Sequence, residues 1–276
     1  MSIDTKGSLR QQMASTDDPS CNPMVFNSRD HKNVTFVVTG FGPFGGVETN
    51  PTTTLVNELK EFLQQSLSVE DRSLAMKISK CIVLETSAQE VCRVLDDLAV
   101  EWRTSPTLSD TTVVLLHLGV NERGAGFQLE QCAYNDATFR IPDQKGYQPQ
   151  QESIIPLKSG ATDYSASTTP TPIGERLDSC FDLNRIVQEQ VQEQRFQGMA
   201  IAVSTDPGRF VCNYVYCYSL YKFQNHPSHS PLICPDRTFC SLFVHVPPFT
   251  VISKSKQLEY LANLMHRLVD QIMTRM

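Results

Sequence analysis

Residues 33–46 read NVTFVVTGFGPFGG, and the reading of this stretch sets the fold. Asn33 to Thr39 is rich in Val and Phe and has the length of a buried strand, and the turn-forming run Gly40-Phe41-Gly42-Pro43-Phe44-Gly45-Gly46 stops it. Just beyond, Asn50 is a good N-cap and Pro51 suits a first helical position. Leu55, Leu59 and Phe62 follow at helical spacing, with Val56 and Leu63 beside them. The stretch therefore predicts one unit of strand, loop and helix.

The pattern repeats outward. Ile78 to Leu84 reads as a strand, and Ser87 with Glu90 three positions later forms a capping box ahead of Val91, Leu95, Leu98 and Trp102. Thr111 to Leu118 is apolar enough to be covered on both faces. Asp182 can cap a helix carrying Leu183, Ile186, Val187 and Val191, Gly198 to Ser204 returns as a strand, and a helical run follows at Tyr214 to Tyr221. Phe239 to Val246 is a further strand before a last helix with Leu258, Leu261, Met265, Leu268 and Ile272 on one face. Strands alternating with helices predict a single-domain α/β fold, a three-layer α/β/α sandwich around a mostly parallel twisted sheet. The domain is expected over 31–276, after a disordered N-terminal extension over 1–30. Pro- and Gln/Ser/Thr-rich surface insertions are expected near 142–172 and 225–237.

Composition excludes several functions. The chain has 276 residues and a formal net charge of -6, with Lys and Arg scattered, so no basic stripe is available for nucleic acid. Apolar runs such as Val113 to Leu116 fall far short of the roughly 20 residues of a membrane span, and Met1 to Asp30 lacks the apolar stretch of a secretory signal. Nine cysteines, odd in number and spread along the chain, suit reduced thiols in the cytoplasm better than a disulfide framework. Cys212 and Cys217 are five apart and Cys234 and Cys240 six apart, so no CxxC pair marks a zinc site, and neither metal nor cofactor is expected.

In open α/β sheets ligands collect at the carboxyl ends of strands, and four such places carry chemistry-bearing residues. The glycines of Gly40 to Gly46 permit close backbone approach, with Phe41 and Phe44 at the strand end. The loop is equally consistent with a tight strand-to-helix turn, and it lacks the Lys-Ser/Thr of a phosphate loop. In Asp206-Pro207-Gly208-Arg209-Phe210-Val211-Cys212-Asn213 a thiol lies near a helix N-terminus, where the dipole and free amides favour thiolate and can hold an oxyanion. A buried Cys is commonly only a small apolar filler. His245 ends an apolar strand that Pro247 terminates, and Glu130 stands in Gln128-Leu129-Glu130-Gln131-Cys132. A Cys nucleophile, a His base and a carboxylate that orients the base form a catalytic arrangement defined by geometry, not chain order.

These residues resemble the motifs of the pyroglutamyl peptidase I family, cysteine peptidase family C15. Thr39-Gly40-Phe41-Gly42-Pro43-Phe44-Gly45-Gly46 with Asn50-Pro51 is similar to the family's opening motif. Gln128-Leu129-Glu130 through Asn135 to Arg140-Ile141-Pro142-Asp143 is similar to its catalytic Glu segment. Gly208 with Phe210-Val211-Cys212-Asn213 resembles the nucleophile motif, and Val244-His245-Val246-Pro247 the histidine motif. The resemblance covers about Asn33 to Met276. It implies Cys212 as nucleophile, His245 as general base and then acid, and Glu130 as orienting acid. It also implies an apolar slot for the pyroglutamyl ring at Phe41, Phe44, Phe210 and Val211, with Asn50, Val120 and Arg140 as further binding or supporting positions. The implied activity is that of an omega peptidase acting on peptides with an N-terminal pyroglutamyl residue, as a monomer or weak homo-oligomer without membrane or nucleic-acid partners.

Thr53, Pro207 and Val120 depart from the family pattern, where Trp, Ala and, in many bacterial members, Gln are usual. Pro207 fixes φ and removes a backbone donor near the expected oxyanion site. Two rival readings follow: a catalytically impaired relative acting as a binding or regulatory protein, and a phosphorylase-like enzyme binding phosphate at Gly40 to Gly46.

Overall fold

The computed structural model describes residues 33–46, 49–66, 76–104, 111–155, 171–224 and 238–274. In chain order the elements are β1 (Asn33–Phe41), α1 (Pro51–Ser66), β2 (Met76–Leu84), α2 (Ala88–Thr104), β3 (Thr111–Val120), β4 (Phe127–Glu130), β5 (Cys132–Tyr134) and β6 (Arg176–Asp178). They continue with α3 (Leu183–Gln192), β7 (Ile201–Ser204), α4 (Val211–Ser219), β8 (Thr238–Val246) and a final helix, α5 (Lys254–Thr274). Six strands make one sheet in the order β2-β1-β3-β8-β4-β7, and β5 pairs with β6 in a separate ribbon. Every neighbouring pair in the main sheet is parallel except β4 with β8.

Alternation along the strands splits the core in two. Val34, Phe36 and Val38 of β1 join Leu55 and Leu59 of α1, Ile186 of α3 and Leu261 of α5 on one face. Val37 and Phe41 join Leu95 and Trp102 of α2 and Tyr216 of α4 on the other. The expected three-layer α/β/α architecture around a mostly parallel sheet is thus the observed one.

The expected caps are in place. Ser87 Oγ accepts from the Glu90 amide at 3.2 Å, and Asp182 Oδ1 accepts from the Arg185 amide at 3.0 Å. Gly40 lets α1 close onto the end of β1, since a Cβ there would lie 2.9 Å from the Thr52 carbonyl oxygen and 2.8 Å from Val56 Cγ2.

Four differences from the sequence reading matter. Glu130 lies on an additional sheet strand, β4, too short for a strand-length apolar run. Helix α4 begins at Val211, which sets Cys212 inside its first turn and not ahead of it. The strand expected from Gly198 starts at Ile201, after Gly198 turns at φ 81°. Residues 142–155, expected as the start of a surface insertion, are largely exposed but anchored: Asp143, Ile154 and Ile155 are buried, and Ala137 bridges Glu152. Asp143 Oδ2 accepts from the Ala88 amide at 2.9 Å while Oδ1 accepts from the Lys145 and Tyr147 amides, so this carboxylate ties the turn to the start of α2. The expected extension over 1–30 and insertion over 225–237 lie outside the described residues, as do 156–170.

The buried side chain of Asn213 fastens α4 to the segment after β4. Its Oδ1 accepts from the Tyr134 amide at 2.8 Å, and its Nδ2 donates to the carbonyls of Tyr134 and Asp136 at 2.8 and 3.0 Å. Asn213→Ala strands these buried groups and is expected to cost about 2–4 kcal/mol. A lowered denaturant midpoint checks this.

Candidate active site

Two rows of side chains cross the sheet on the face that carries α4. In the row nearer the carboxyl ends of β3 and β8, Gly119 pairs with His245 and His245 pairs with Gln128. One step deeper, His117 pairs with Phe243 and Phe243 with Glu130. Residues paired across strands share a face, and so do residues two apart, so Glu130 lies diagonally beneath His245. The diagonal closes in a hydrogen bond of 2.8 Å between His245 Nδ1 and Glu130 Oε1.

Cys212 arrives from above, on the first turn of α4. A Cβ placed on Gly119 would lie 3.0 Å from Cys212 Sγ, so the missing side chain of Gly119 is the space the sulfur occupies. Gly119 is the strand partner of His245, so the sulfur above it stands beside the imidazole. With Nδ1 engaged by Glu130, the imidazole is held between carboxylate and thiol, and the three expected residues form one line.

The electrostatics follow from burial and partners. Burial alone pushes the His245 imidazolium toward losing its proton. Interaction with Cys212, then the hydrogen bond to Glu130, with the charges of both, outweigh burial and raise its pKa to about 10. Glu130 is fully buried, and among the described residues its Oε2 has no hydrogen-bond partner, so the imidazolium is the charge that answers the carboxylate. Tyr216 holds the Glu130 backbone, its hydroxyl donating to the Glu130 carbonyl at 2.9 Å. By contrast His117, one row deeper, is pushed down to about 3 by burial and contacts Thr39 Oγ1 at 2.8 Å, which makes it a neutral core histidine.

Beside the line lies an aromatic slot. The Phe44 and Phe210 rings are 6.3 Å apart, and Phe139 stands edge-on to Phe210 at 4.8 Å. Phe41 is buried in the core that faces α2 and α4, and its backbone is fixed by Thr52 Oγ1, which accepts from its amide at 2.9 Å, and by Thr53 Oγ1, which donates to its carbonyl at 2.9 Å. Asn50 donates from Nδ2 to the Gly42 carbonyl at 3.1 Å and accepts from the Thr52 amide, so both ends of its side chain are spent bracing the loop.

Besides Phe41, whose ring is in the core, three expected binding positions sit differently. Val211 is fully buried in the core between sheet and helices. Val120 follows Gly119, so alternation sends its side chain to the opposite face from Cys212. Arg140 is exposed, next to Ile141, whose Cδ1 would be 3.4 Å from a Cβ on Gly45; its segment lies against the glycine loop, not against Cys212. The sequence reading missed Gly119, Phe139 and the site-facing position of Gln128. Alternation of Phe127 and Leu129 with Gln128 and Glu130 was the available signal for the last.

Pro207 is buried in a turn where Asp206 Oδ1 accepts from the Gly208 amide at 3.1 Å. The amides at the start of α4 come from residues after Phe210, so a proline at 207 takes no donor from that helix terminus. Chemically, the arrangement can generate a sulfur nucleophile, return a proton to a leaving group and stabilise negative charge at a helix start.

A family model described as pyroglutamyl peptidase, C15, matches residues 34–258. The pyrrolidone-carboxylate peptidase of Pyrococcus furiosus is 26% identical over 223 residues, covering 79% of this chain and 84% of that protein. That of Thermococcus litoralis is 24% identical over 222 residues, 79% of each. Among solved structures, pyrrolidone carboxyl peptidase from P. furiosus superposes with a TM-score of 0.62 at 20% identity, covering 86% of this chain and 99% of that one. The enzyme from Fervidobacterium islandicum AW-1 gives 0.60 at 22% identity over 86% and 99%.

Gly119→Ala would put a methyl group 2.6 Å from Phe243 Cζ as well as against the sulfur. The expected cost is about 1–3 kcal/mol of stability, together with slower alkylation of Cys212 by iodoacetamide. Unfolding curves and labelling rates check the two effects.

Proposed function

The chain belongs to the pyroglutamyl peptidase family, C15, and on that premise we propose that it is a cysteine exopeptidase that hydrolyses the bond after an N-terminal pyroglutamyl residue, with Cys212, His245 and Glu130 as its catalytic line. The observation that carries this reading is the hydrogen bond between Glu130 and His245 with the Cys212 sulfur standing over Gly119, the strand partner of His245, beside an aromatic cluster. A pyroglutamyl ring is small, flat and uncharged, so it can be desolvated against Phe44 and Phe210, whereas a free amino terminus would leave a charge unpaired there.

The chemistry proceeds in two displacements. With the proton on His245, the Cys212 sulfur attacks the pyroglutamyl carbonyl carbon, and amides at the start of α4 receive the developing oxyanion. The tetrahedral intermediate collapses as the imidazolium gives its proton to the departing peptide nitrogen, and the C–N bond breaks. Water then loses a proton to His245 and attacks the thioester, the C–S bond breaks, and pyroglutamate leaves. Glu130 holds the ring in orientation and balances its charge throughout. A thiol that must stay reduced suits the cytosol, where we place the protein. Among the described residues no helix is long and apolar enough to cross a membrane.

Cys212→Ala is expected to abolish release of a dye from a pyroglutamyl arylamide while a prolyl arylamide stays uncut by wild type. Wild-type turnover in the variant rejects the assignment. Glu130→Gln keeps nucleophile and base and is expected to lower kcat by about 10²–10⁴-fold.

The pH dependence has a definite sign. The folded pKa of His245 is raised to about 10, above its ordinary value, so its proton is held through neutral pH and lost as pH rises through about 10. An alkaline limb in kcat/KM near that pH is expected. Glu130→Gln removes part of what raises the pKa, so the limb moves to lower pH; an unmoved limb contradicts the role given to Glu130.

A further inference from the structure

The order of strands along the sheet lays out the site as a line. The aromatic slot lies at the end of β1, with Phe41 on the strand and Phe44 just past it; the sulfur sits over Gly119 of β3; the imidazole stands on β8; and Gln128 follows on β4. Adjacent strands are spaced about 4.8 Å apart, so Gln128 lies one strand beyond the imidazole, on the side away from the nucleophile. The acyl portion of a substrate occupies the β1 and β3 side. The leaving nitrogen receives its proton from His245. The chain that nitrogen carries must therefore continue toward β4.

Gln128 is equipped for that chain. It is half-buried and faces the same side of the sheet as His245, its direct antiparallel partner. Asn121 Nδ2 donates to Gln128 Oε1 at 2.8 Å. Asn121 is in turn set by its own amide, which donates to the Val246 carbonyl at 2.9 Å across the strand end, and by its Oδ1, which accepts from the Arg123 amide at 3.2 Å. With the acceptor end of the Gln128 carboxamide occupied, the end left to meet a ligand is Nε2, a donor of two hydrogen bonds. The residue that supplies the scissile nitrogen also presents its own main-chain carbonyl oxygen, which is the acceptor such a donor selects.

We propose that Gln128, held by Asn121, is a specificity-determining residue that donates a hydrogen bond to the main-chain carbonyl of the residue following pyroglutamate, so that the enzyme favours peptides over other pyroglutamyl amides. This rests on the proposed peptidase reading and adds a subsite for the leaving peptide to it. The interaction explains why a polar, half-buried side chain stands on β4 in the row of the base, while its neighbours Phe127 and Leu129 are buried in the core.

The test compares two substrates on the full chain: pyroglutamyl-alanine amide, which has the carbonyl, and pyroglutamyl p-nitroanilide, which lacks it. In Gln128→Ala the ratio of kcat/KM for the peptide to that for the anilide is expected to fall about 3- to 10-fold, the effect of one neutral hydrogen bond. Gln128→Glu, which keeps the size but removes the donor, is expected to fall at least as far. Asn121→Ala leaves Gln128 in place but unanchored, and is expected to shift the ratio in the same direction by less. A ratio unchanged in Gln128→Ala and Gln128→Glu, or activity on both substrates falling by one common factor, overturns the assignment. Wild type failing to cut either substrate would instead overturn the peptidase reading itself, so the two failures are told apart.

Discussion

The antiparallel pairing of β8 with β4 is the constraint on which the rest of the molecule turns. In a sheet otherwise paired in parallel, this junction brings Glu130 within 2.8 Å of His245 and aligns Gln128 directly opposite it. A slip of one residue would turn Glu130 and Gln128 to the other face and bury Phe127 or Leu129 beneath the imidazole. The register is held because Phe127 and Leu129 are fully committed to the opposite core, where Phe127 stacks on Tyr260 at 3.9 Å. Hydrophobic packing on one side of the sheet thus aims the polar chemistry on the other.

The fully buried carboxylate is tolerable only through this geometry. Uncompensated, Glu130 would carry a large desolvation penalty, and removing a partner from a buried pair costs more than the pair contributes. The imidazolium answers it and is in turn kept protonated by it and by the sulfur. Glycine at 119 completes the assembly by absence: it leaves the room in which Cys212, delivered by the first turn of α4, can reach the ring. The aromatic slot is braced separately, by Asn50, Thr52 and Thr53 through the loop backbone, so the binding loop and the catalytic line rest on different supports.

Much of this was readable in the residues. The strand-loop-helix units, the capping residues Ser87 and Asp182, and the placement of Cys212 near a helix start and His245 at a strand end are local matters, written in periodicity and cap chemistry. The motif resemblance supplied the partnership of Cys212, His245 and Glu130 that spacing alone could not. What escaped were residues whose meaning is non-local. Strand β4 has only four residues, so the alternation of Phe127 and Leu129 with Gln128 and Glu130 is a faint signal beside the longer strands. Asp143 lies in a stretch that reads as an insertion, yet it fastens the start of α2. Val211 stands beside the nucleophile in sequence, and the packing of α4 sends its side chain into the core.

Helix and strand propensity, capping and hydrophobic period act over a few residues at a time, and from them alone follow the elements, their alternation and the residue types that could do the chemistry. The direction of β4, the face each of its side chains takes, and therefore what stands beside the imidazole, follow from packing in three dimensions. Those outcomes depend on pairing between strands more than a hundred residues apart, where no short-range preference reaches and the two buried cores choose the register.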